Sequence, residues 1–409
     1  MAIAVKYDVL FLCQFFYPEY NSSATLPWDT ATYLAGRGLK VGAICGYPKE
    51  YNPEGKVPVK EEADGVHIRR LRYIQLRRGR RIGRLINYLS FTLSALLHIC
   101  ELKKYRCIFV YSNPPLLPAA AVLADKLFKT KVIFVSYDVY PEIAFASNSL
   151  SRGSFITKGM NLFNRILFRR TASVVALTDE MKEFLLSERK TLSPDRVSVI
   201  PNWAHEGNCE RTPDAYLRFG YSPEDFIVSY FGNMGICQDV ETILDAIGRL
   251  KDHGHIKFFF VGHGSKKEYV TEKTKDMKNV QILDLLTGKE FEQAVSISSC
   301  GIVSLEYGLR GMCAPSKYYS YLQGGIPVIA VAEKESYLTR EIIQKQIGCA
   351  VGPGDGPALA RAIEDLAADK TKCCAMGKRA KELYVKEYGK ALCLEKYAGL
   401  LERVLGNTP

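Results

Sequence analysis

The sequence predicts an α/β protein of two doubly wound, Rossmann-like domains. Three observations carry that expectation. Apolar, strand-like runs alternate with helical patterns, the signature of a parallel sheet covered on both faces. The alternation pauses at Pro201-Asn202-Trp203 and then restarts. At 409 residues the chain is too long for one ordinary core, so two domains of about 200 residues each are expected.

In the first half, strands are expected near Val9–Leu12, Val41–Cys45, Ile108–Val110, Val132–Val135, Val174–Leu177 and Val197–Ile200. Helices are expected over Ser23–Gly36, Leu85–Leu102, Pro115–Phe128, Phe155–Arg170 and Asp179–Ser187, with Gly36 and Gly38 stopping the first of them. In the second half, strands fall near Ile227–Tyr230, Phe258–Val261, Ile302–Leu305 and Val328–Ala330. Helices follow over Val240–Leu250, Glu290–Ser298, Ser316–Leu322 and Ala358–Ala368. Two such domains would face each other across a cleft, and open α/β sheets bind ligands beyond the carboxyl ends of their strands.

With 47% apolar, 11% aromatic and 24% charged residues, the composition is that of a folded protein. The first residues lack a charged leader followed by an apolar stretch and a cleavage site, so no secretion signal is expected. No run reaches the roughly 18 apolar residues of a membrane-spanning helix. The twelve cysteines are scattered, several within apolar runs (Cys13, Cys45, Cys107, Cys300), and none forms a Cys-x-x-Cys pair. Reduced thiols in a cytoplasmic protein are expected, with neither disulfides nor zinc.

Charge is uneven. Residues 1–200 hold 29 Lys and Arg against 17 Asp and Glu, a balance of +12, which leaves −1 for the rest of a chain at +11. Eight arginines lie between 69 and 84: Arg69, Arg70, Arg72, Arg77, Arg78, Arg80, Arg81 and Arg84. An apolar segment with interleaved aromatics, Leu85–Leu97, follows them. That order suits an anionic lipid surface below a partly inserted helix, with Arg77, Arg78, Arg80, Arg81 and Arg84 at the headgroups. Nucleic acid, or a core helix after a solvated basic loop, accounts for the same pattern.

The segment Ala314-Pro315-Ser316-Lys317-Tyr318-Tyr319-Ser320-Tyr321-Leu322-Gln323-Gly324-Gly325-Ile326-Pro327-Val328-Ile329-Ala330 joins a loop, a helix, a diglycine break and a buried strand. A helix opening at Pro315 and Ser316 presents unpaired amides and the positive end of its dipole, which attract phosphate, and Lys317 adds a full charge there. Gly324 and Gly325 permit positive φ or close backbone approach. An ordinary helix-to-strand turn accounts for the same residues. Upstream, Gly232-Asn233-Met234-Gly235 lies between a strand and a helix, where its amides could meet a diphosphate from the other side. A tight turn explains it equally.

Pro-Ser-Lys followed by Tyr-x-x-Gly-Gly-x-Pro-Val-Ile-Ala resembles the donor-site signature of retaining glycosyltransferases of family 4, which have the two-domain GT-B fold. Tyr230–Ala246 is similar to the family's first C-terminal strand, glycine turn and helix, and Asp138-Val139-Tyr140-Pro141-Glu142 matches members of the bacterial surface-polysaccharide type, such as WbuB and the colanic-acid enzymes. The resemblance covers nearly the whole chain. It implies an N-terminal acceptor domain over 1–201, a donor domain over 202–380 and closing helices over 381–409 that return to the first domain. It also implies hexose transfer from a nucleoside-diphosphate donor, UDP-linked, to a lipid-linked, polyprenyl-diphosphate saccharide at the inner face of the cell membrane, without metal, cofactor or nucleic acid. Two alternatives belong to other classes: a nucleotide-sugar 2-epimerase or hydrolase of the same fold, and a non-catalytic scaffold binding membranes or nucleic acid.

Residue by residue, the resemblance implies donor contacts at Gly232, Asn233, Met234, Gly235, Ser316, Lys317, Tyr321, Gly324 and Gly325. The family's ribose-binding Glu positions hold Ser320 and Met312 here, and Glu306 is the nearest acid. The Arg and Lys that many members place after the glycine turn are absent, leaving Lys317 with Arg310 to supply charge. Catalytic assignments are Lys317 for the leaving diphosphate, Asp138 for the acceptor or a sugar hydroxyl, and Glu142 in support. A helix-capping role for Asp138 also fits. Glu19, Asn21, Ser22 and Ser23 occupy the phosphate or acceptor loop after the first strand, where an N-cap at Ser22 or Ser23 is the structural alternative. His263 ends a strand and is expected in a solvated loop.

Overall fold

The computed structural model describes residues 6–48, 55–76, 81–147, 149–205, 207 and 210–406. It separates into two compact units: Met1–Asn202 with Gly311–Ala314 and Ala391–Pro409, and Trp203–Arg310 with Pro315–Lys390.

The first unit contains β1 (Tyr7–Leu12), α1 (Ser22–Gly36), β2 (Val41–Gly46), β3 (Lys60–Ala63), β4 (Val66–Leu71), α2 (Arg81–Leu97), α3 (Ile99–Leu102), β5 (Tyr105–Tyr111), α4 (Pro118–Phe128), β6 (Lys131–Val135), α5 (Glu142–Ala146), α6 (Phe155–Arg170), β7 (Ser173–Ala176), α7 (Asp179–Glu188) and β8 (Val197–Val199). The sheet runs β3-β4-β2-β1-β5-β6-β7-β8, and every pair is parallel except β3 with β4. Its central strands are covered on both faces, which is why they read as unbroken apolar runs. Leu10 and Leu12, in register with Ile108 and Val110, meet Phe91 of α2, Ala120 and Ala121 of α4 and Phe168 of α6. Helix α4 packs against both α2 and α6.

The second unit contains α8 (Pro213–Phe219), β9 (Phe226–Asn233), α9 (Val240–Arg249), β10 (Ile256–His263), α10 (Lys267–Thr274), β11 (Val280–Leu283), α11 (Gly288–Ser296), β12 (Cys300–Ser304), α12 (Lys317–Gly324), β13 (Val328–Val331), α13 (Tyr337–Gln344), β14 (Gly348–Val351), α14 (Gly356–Ala368) and α15 (Lys370–Leu383). Its sheet is wholly parallel, ordered β11-β10-β9-β12-β13-β14. The last helix, α16 (Lys390–Leu405), places Tyr397 against Phe109 on the first sheet and Glu395 against Arg37 of the first unit.

Sequence reading located β1, β2 and β5 to β8 in the first unit and β9, β10, β12 and β13 in the second, and missed β3, β4, β11 and β14. β3 is polar, Lys-Glu-Glu-Ala, and on β4 an arginine takes a core position. Arg70 is fully buried, donating to the carbonyls of Pro58 (2.8 Å) and Tyr17 (2.9 Å) and to Glu61 Oε1 (2.6 Å). Arg69 pairs with Glu101. Two of the eight clustered arginines, neither of them among the five expected at the headgroups, are therefore taken up by the fold. Arg77, Arg78 and Arg80 lie outside the described residues, whereas Arg81 and Arg84 open α2. No helix among the described residues is long and apolar enough to cross a membrane.

Each sheet reverses strand order once, between β1 and β5 and between β9 and β12. Doubly wound sheets bind ligands at the carboxyl ends of the strands flanking such a reversal.

Candidate functional site

In the second unit the loops leaving β9 and β12 touch where the Glu306 amide donates to the Cys237 carbonyl at 3.0 Å. Helix α12 starts beyond them. Ser316 holds its N-cap position in helical backbone (φ −62°, ψ −29°) and makes no side-chain cap, while the Tyr318 and Tyr319 amides donate to the Pro315 and Ser316 carbonyls at 3.2 Å, so what the start of α12 offers an anion is the positive end of its dipole. Lys317 Nζ is buried without a hydrogen-bond partner among the described residues, 3.3 Å from the centre of the Tyr230 ring. Burial holds its amine well below the ordinary lysine range. Its Cε ends beside Gly232, where φ is +99° and a Cβ would stand 3.8 Å away. Helix start, lysine and glycine turn thus converge at the switch point of this sheet.

Other expected donor contacts are elsewhere employed. The Met234 amide donates to the His263 carbonyl (2.7 Å) and the Gly235 amide to Gln238 Oε1 (2.9 Å), so these two amides are satisfied by the protein itself. Met234 is a core residue, and α9 opens only at Val240, where Asp239 Oδ1 accepts from the Thr242 amide. One uncapped helix start therefore replaces the expected two, with Gly232 and the exposed Asn233 remaining at the turn. Tyr321 is fully buried; its hydroxyl accepts from Phe231 N and donates to the Ser229 carbonyl, tying α12 to β9. Gly324 ends α12 and Gly325 caps it in the left-handed region (φ +66°), close enough to α15 that a Cβ on Gly377 would lie 2.2 Å from the Gly325 carbonyl. Both glycines serve helix termination and packing. Arg310 is exposed.

In the first unit, Asp138 follows β6. Its amide and that of Tyr137 both donate to Ser112 Oγ at 3.0 Å, and the Val139 amide donates to the Met312 carbonyl at 2.9 Å, opposite the bridge from Asp138 to Cys313. The helix-capping alternative is excluded: α5 begins at Glu142 with Pro141 in the cap position. The Asp138 carboxylate makes no hydrogen bond among the described residues and borders a small cavity lined by Ser112, Ser136, Asn164 and Arg189. Burial raises its pKa to about 6, with Arg84 opposing the shift.

Glu142 does not assist it. Both of its oxygens accept from Arg189, at 2.8 and 2.5 Å, and Arg189 and Asn164 also donate to the Tyr140 carbonyl at 3.0 and 2.9 Å. This pair holds the loop that presents Asp138. Arg189→Ala strands a buried carboxylate and should lower unfolding free energy by about 3–5 kcal/mol in urea titration. Glu142→Gln should leave turnover per folded molecule unchanged, and a large loss of turnover would restore Glu142 to catalysis.

The loop after β1 places Asn21 in the N-cap position of α1 with no side-chain cap, so neither Ser22 nor Ser23 caps the helix. Glu19 is buried beside it.

Residues 24–203 match the family described as glycosyl transferase 4-like domain, and residues 225–369 match glycosyl transferases group 1. The chain is a family 4 glycosyltransferase with the GT-B fold. A probable glycosyltransferase of Pseudomonas aeruginosa, WbjE, is 26% identical over 307 residues, covering 73% of this chain and 74% of that protein. A putative colanic acid biosynthesis glycosyl transferase of Escherichia coli K12, WcaI, is 21% identical over 334 residues, 77% and 81% of the two chains. Among solved structures, sucrose-phosphate synthase from Thermosynechococcus elongatus superposes with a TM-score of 0.78 at 15% identity over 98% of this chain and 100% of that one. HepE of Anabaena, solved with UDP and glucose, gives 0.72 at 14% identity over 97% and 100%. At these identities the two structures speak for the fold alone.

Membership in a glycosyltransferase family sets aside the non-catalytic scaffold. One charged residue of this glycosyltransferase escaped sequence reading. Lys266 Nζ, from the loop after β10, donates to the Gln238 carbonyl (2.9 Å), Glu241 Oε2 (2.9 Å) and Glu306 Oε1 (2.8 Å). It brings a cation to the glycine turn, where the family's usual Arg and Lys are missing. The signal available was Gly262-His263-Gly264: a Cβ on Gly262 would lie 2.0 Å from the Gly232 carbonyl, so the two loops must approach closely. His263, read as a solvated loop residue, is half-buried at the end of β10. The carboxylates of Asp239, Glu241 and Glu306 cluster within 4.8 Å of one another, but Lys266 already neutralises two of them.

Proposed function

We propose that this glycosyltransferase moves a hexose-type sugar, with retention of configuration, from a UDP-linked donor to a lipid-linked, polyprenyl-diphosphate saccharide in surface-polysaccharide synthesis. The carrying observation is the buried, unpartnered Lys317 amine beside Gly232 and the start of α12. A buried amine without a partner is costly, and a diphosphate supplies both the counter-charge and the acceptors that it lacks. Leaving-group charge develops on that diphosphate, so Lys317 and the positive end of the α12 dipole would act on the transition state without a metal. Glu306 is the ribose contact in this reading, released in part from Lys266, and Asp138 is the base or sugar-hydroxyl contact. Same-face attack assisted by the leaving phosphate fits a site in which, among the described residues, the nearby Glu142 is held by Arg189 and no second carboxylate lines the cavity at Asp138. The relatives named for glycosyl transfer and colanic acid, and HepE with UDP, support the donor and pathway class.

Membrane association is part of the proposal. On α2, Ile82, Leu85, Leu89, Leu93 and Leu97 are 45–76% exposed at three- and four-residue spacing, an apolar stripe beginning at two arginines. A peripheral place on the inner, anionic face of the cell membrane follows. Thermal unfolding with UDP-, GDP- and dTDP-sugars tests the donor: UDP-sugars should raise Tm with concentration, and Tm unmoved by all three would reject it.

A further inference from the structure

We infer that α6 is a second docking element for an anionic phospholipid surface, acting beside α2; this rests on the membrane reading of α2. Helix α6 is firmly anchored from within. Ser154 caps it by accepting from the Thr157 amide, Leu167 and Phe168 enter the core, and Asn164 donates to the Tyr140 carbonyl. Its outer face carries exposed apolar side chains. Phe155 is 90% exposed, Ile156 63%, Leu162 60% and Ile166 43%. At 100° per residue, Phe155, Leu162 and Ile166 fall within about 40° of one another, one stripe along the helix.

Three exposed cations, Lys158, Arg165 and Arg169, run along one flank of that stripe, and the helix contains no acid. Apolar side chains flanked by cations match an acyl boundary beneath anionic headgroups. A second copy of the chain would bring the same cations to the same face, so charge favours lipid. Helix α4 packs against both α2 and α6, and all three bury residues in the same core cluster, so the two apolar stripes belong to one helical layer. Because Asn164 ties α6 to the loop that presents Asp138, docking there would fix that carboxylate relative to the bilayer surface from which a lipid-linked acceptor arrives.

The test uses the full-length protein and sedimentation with phosphatidylglycerol or phosphatidylcholine vesicles. Combined Phe155→Ser, Leu162→Ser and Ile166→Ser should weaken binding to phosphatidylglycerol about tenfold or more, with Tm and UDP affinity retained, as should Leu85→Ser, Leu89→Ser and Leu93→Ser on α2. Phe155→Trp should gain fluorescence quenching by brominated phosphatidylglycerol, a readout that survives if the triple variant misfolds. Undiminished binding by the α6 variant while the α2 variant lets go, or no quenching at position 155, overturns the α6 inference and leaves the membrane reading standing. A wild-type protein that ignores phosphatidylglycerol at low salt removes both. A lipid-free dimer dispersed by the α6 substitutions would overturn the inference in favour of a second copy.

Discussion

Lys317→Met is expected to remove most donor affinity while leaving the fold as stable or more so. A charge-assisted hydrogen bond to diphosphate contributes about 1.5–3 kcal/mol, so Kd for UDP should rise roughly tenfold to more than a hundredfold by calorimetry. Stability should move the other way, because methionine fills the space against Tyr230 without a buried amine to desolvate. The pH dependence separates this from a packing defect. With the folded-state pKa held well below 10.5, the unfolded chain binds the proton between the two values. Stability of the free wild-type protein therefore rises with pH across that window, and the methionine variant should lose that contribution. Donor binding recharges the amine, so wild-type affinity should fall as pH climbs above the depressed pKa, with no corresponding fall in the variant. An unchanged Kd in Lys317→Met would end the assignment of this lysine to the diphosphate.

Asp138→Asn should lower kcat by about 10²–10⁴-fold with the Kd for UDP unchanged, the range typical of a lost general base. The carboxylate is raised to about 6, so its active, ionised form grows in as pH passes that value. Wild-type kcat/KM should climb through pH 6 and the residual activity of the variant should lack that limb. The stability sign is opposite to that of Lys317. Between about 4 and 6 the folded state binds the proton more tightly than the unfolded chain, so this group's contribution to stability declines as pH rises through that window. Turnover of Asp138→Asn equal to wild type would remove the residue from catalysis.

The candidate site was legible where local chemistry decided it. Pro315-Ser316-Lys317 announced a helix start without a side-chain cap and with a lysine on it, and the structure retains both, with burial disfavouring the charged form of that lysine. Tyr321 misled because a tyrosine about one turn from a ligand-binding helix start looks the same in sequence whether its hydroxyl meets a sugar or the backbone of β9. Glu142 misled for a similar reason: its partner Arg189 is 47 residues away, and only folding brings them within 2.8 Å. Lys266 was invisible because its value lies in reaching Gln238 and Glu306, which belong to other strands' loops.

By itself, the sequence determined two parallel, doubly wound sheets, since strands buried on both faces must be continuously apolar and helices between them must be amphipathic. It also determined that a lysine stands at the start of α12. Tertiary structure decided which polar groups remain free for chemistry. Pairing is a contest among groups brought together from distant parts of the chain: Glu142, Arg70 and the Gly235 amide found partners, whereas the Lys317 amine and the Asp138 carboxylate, among the described residues, did not.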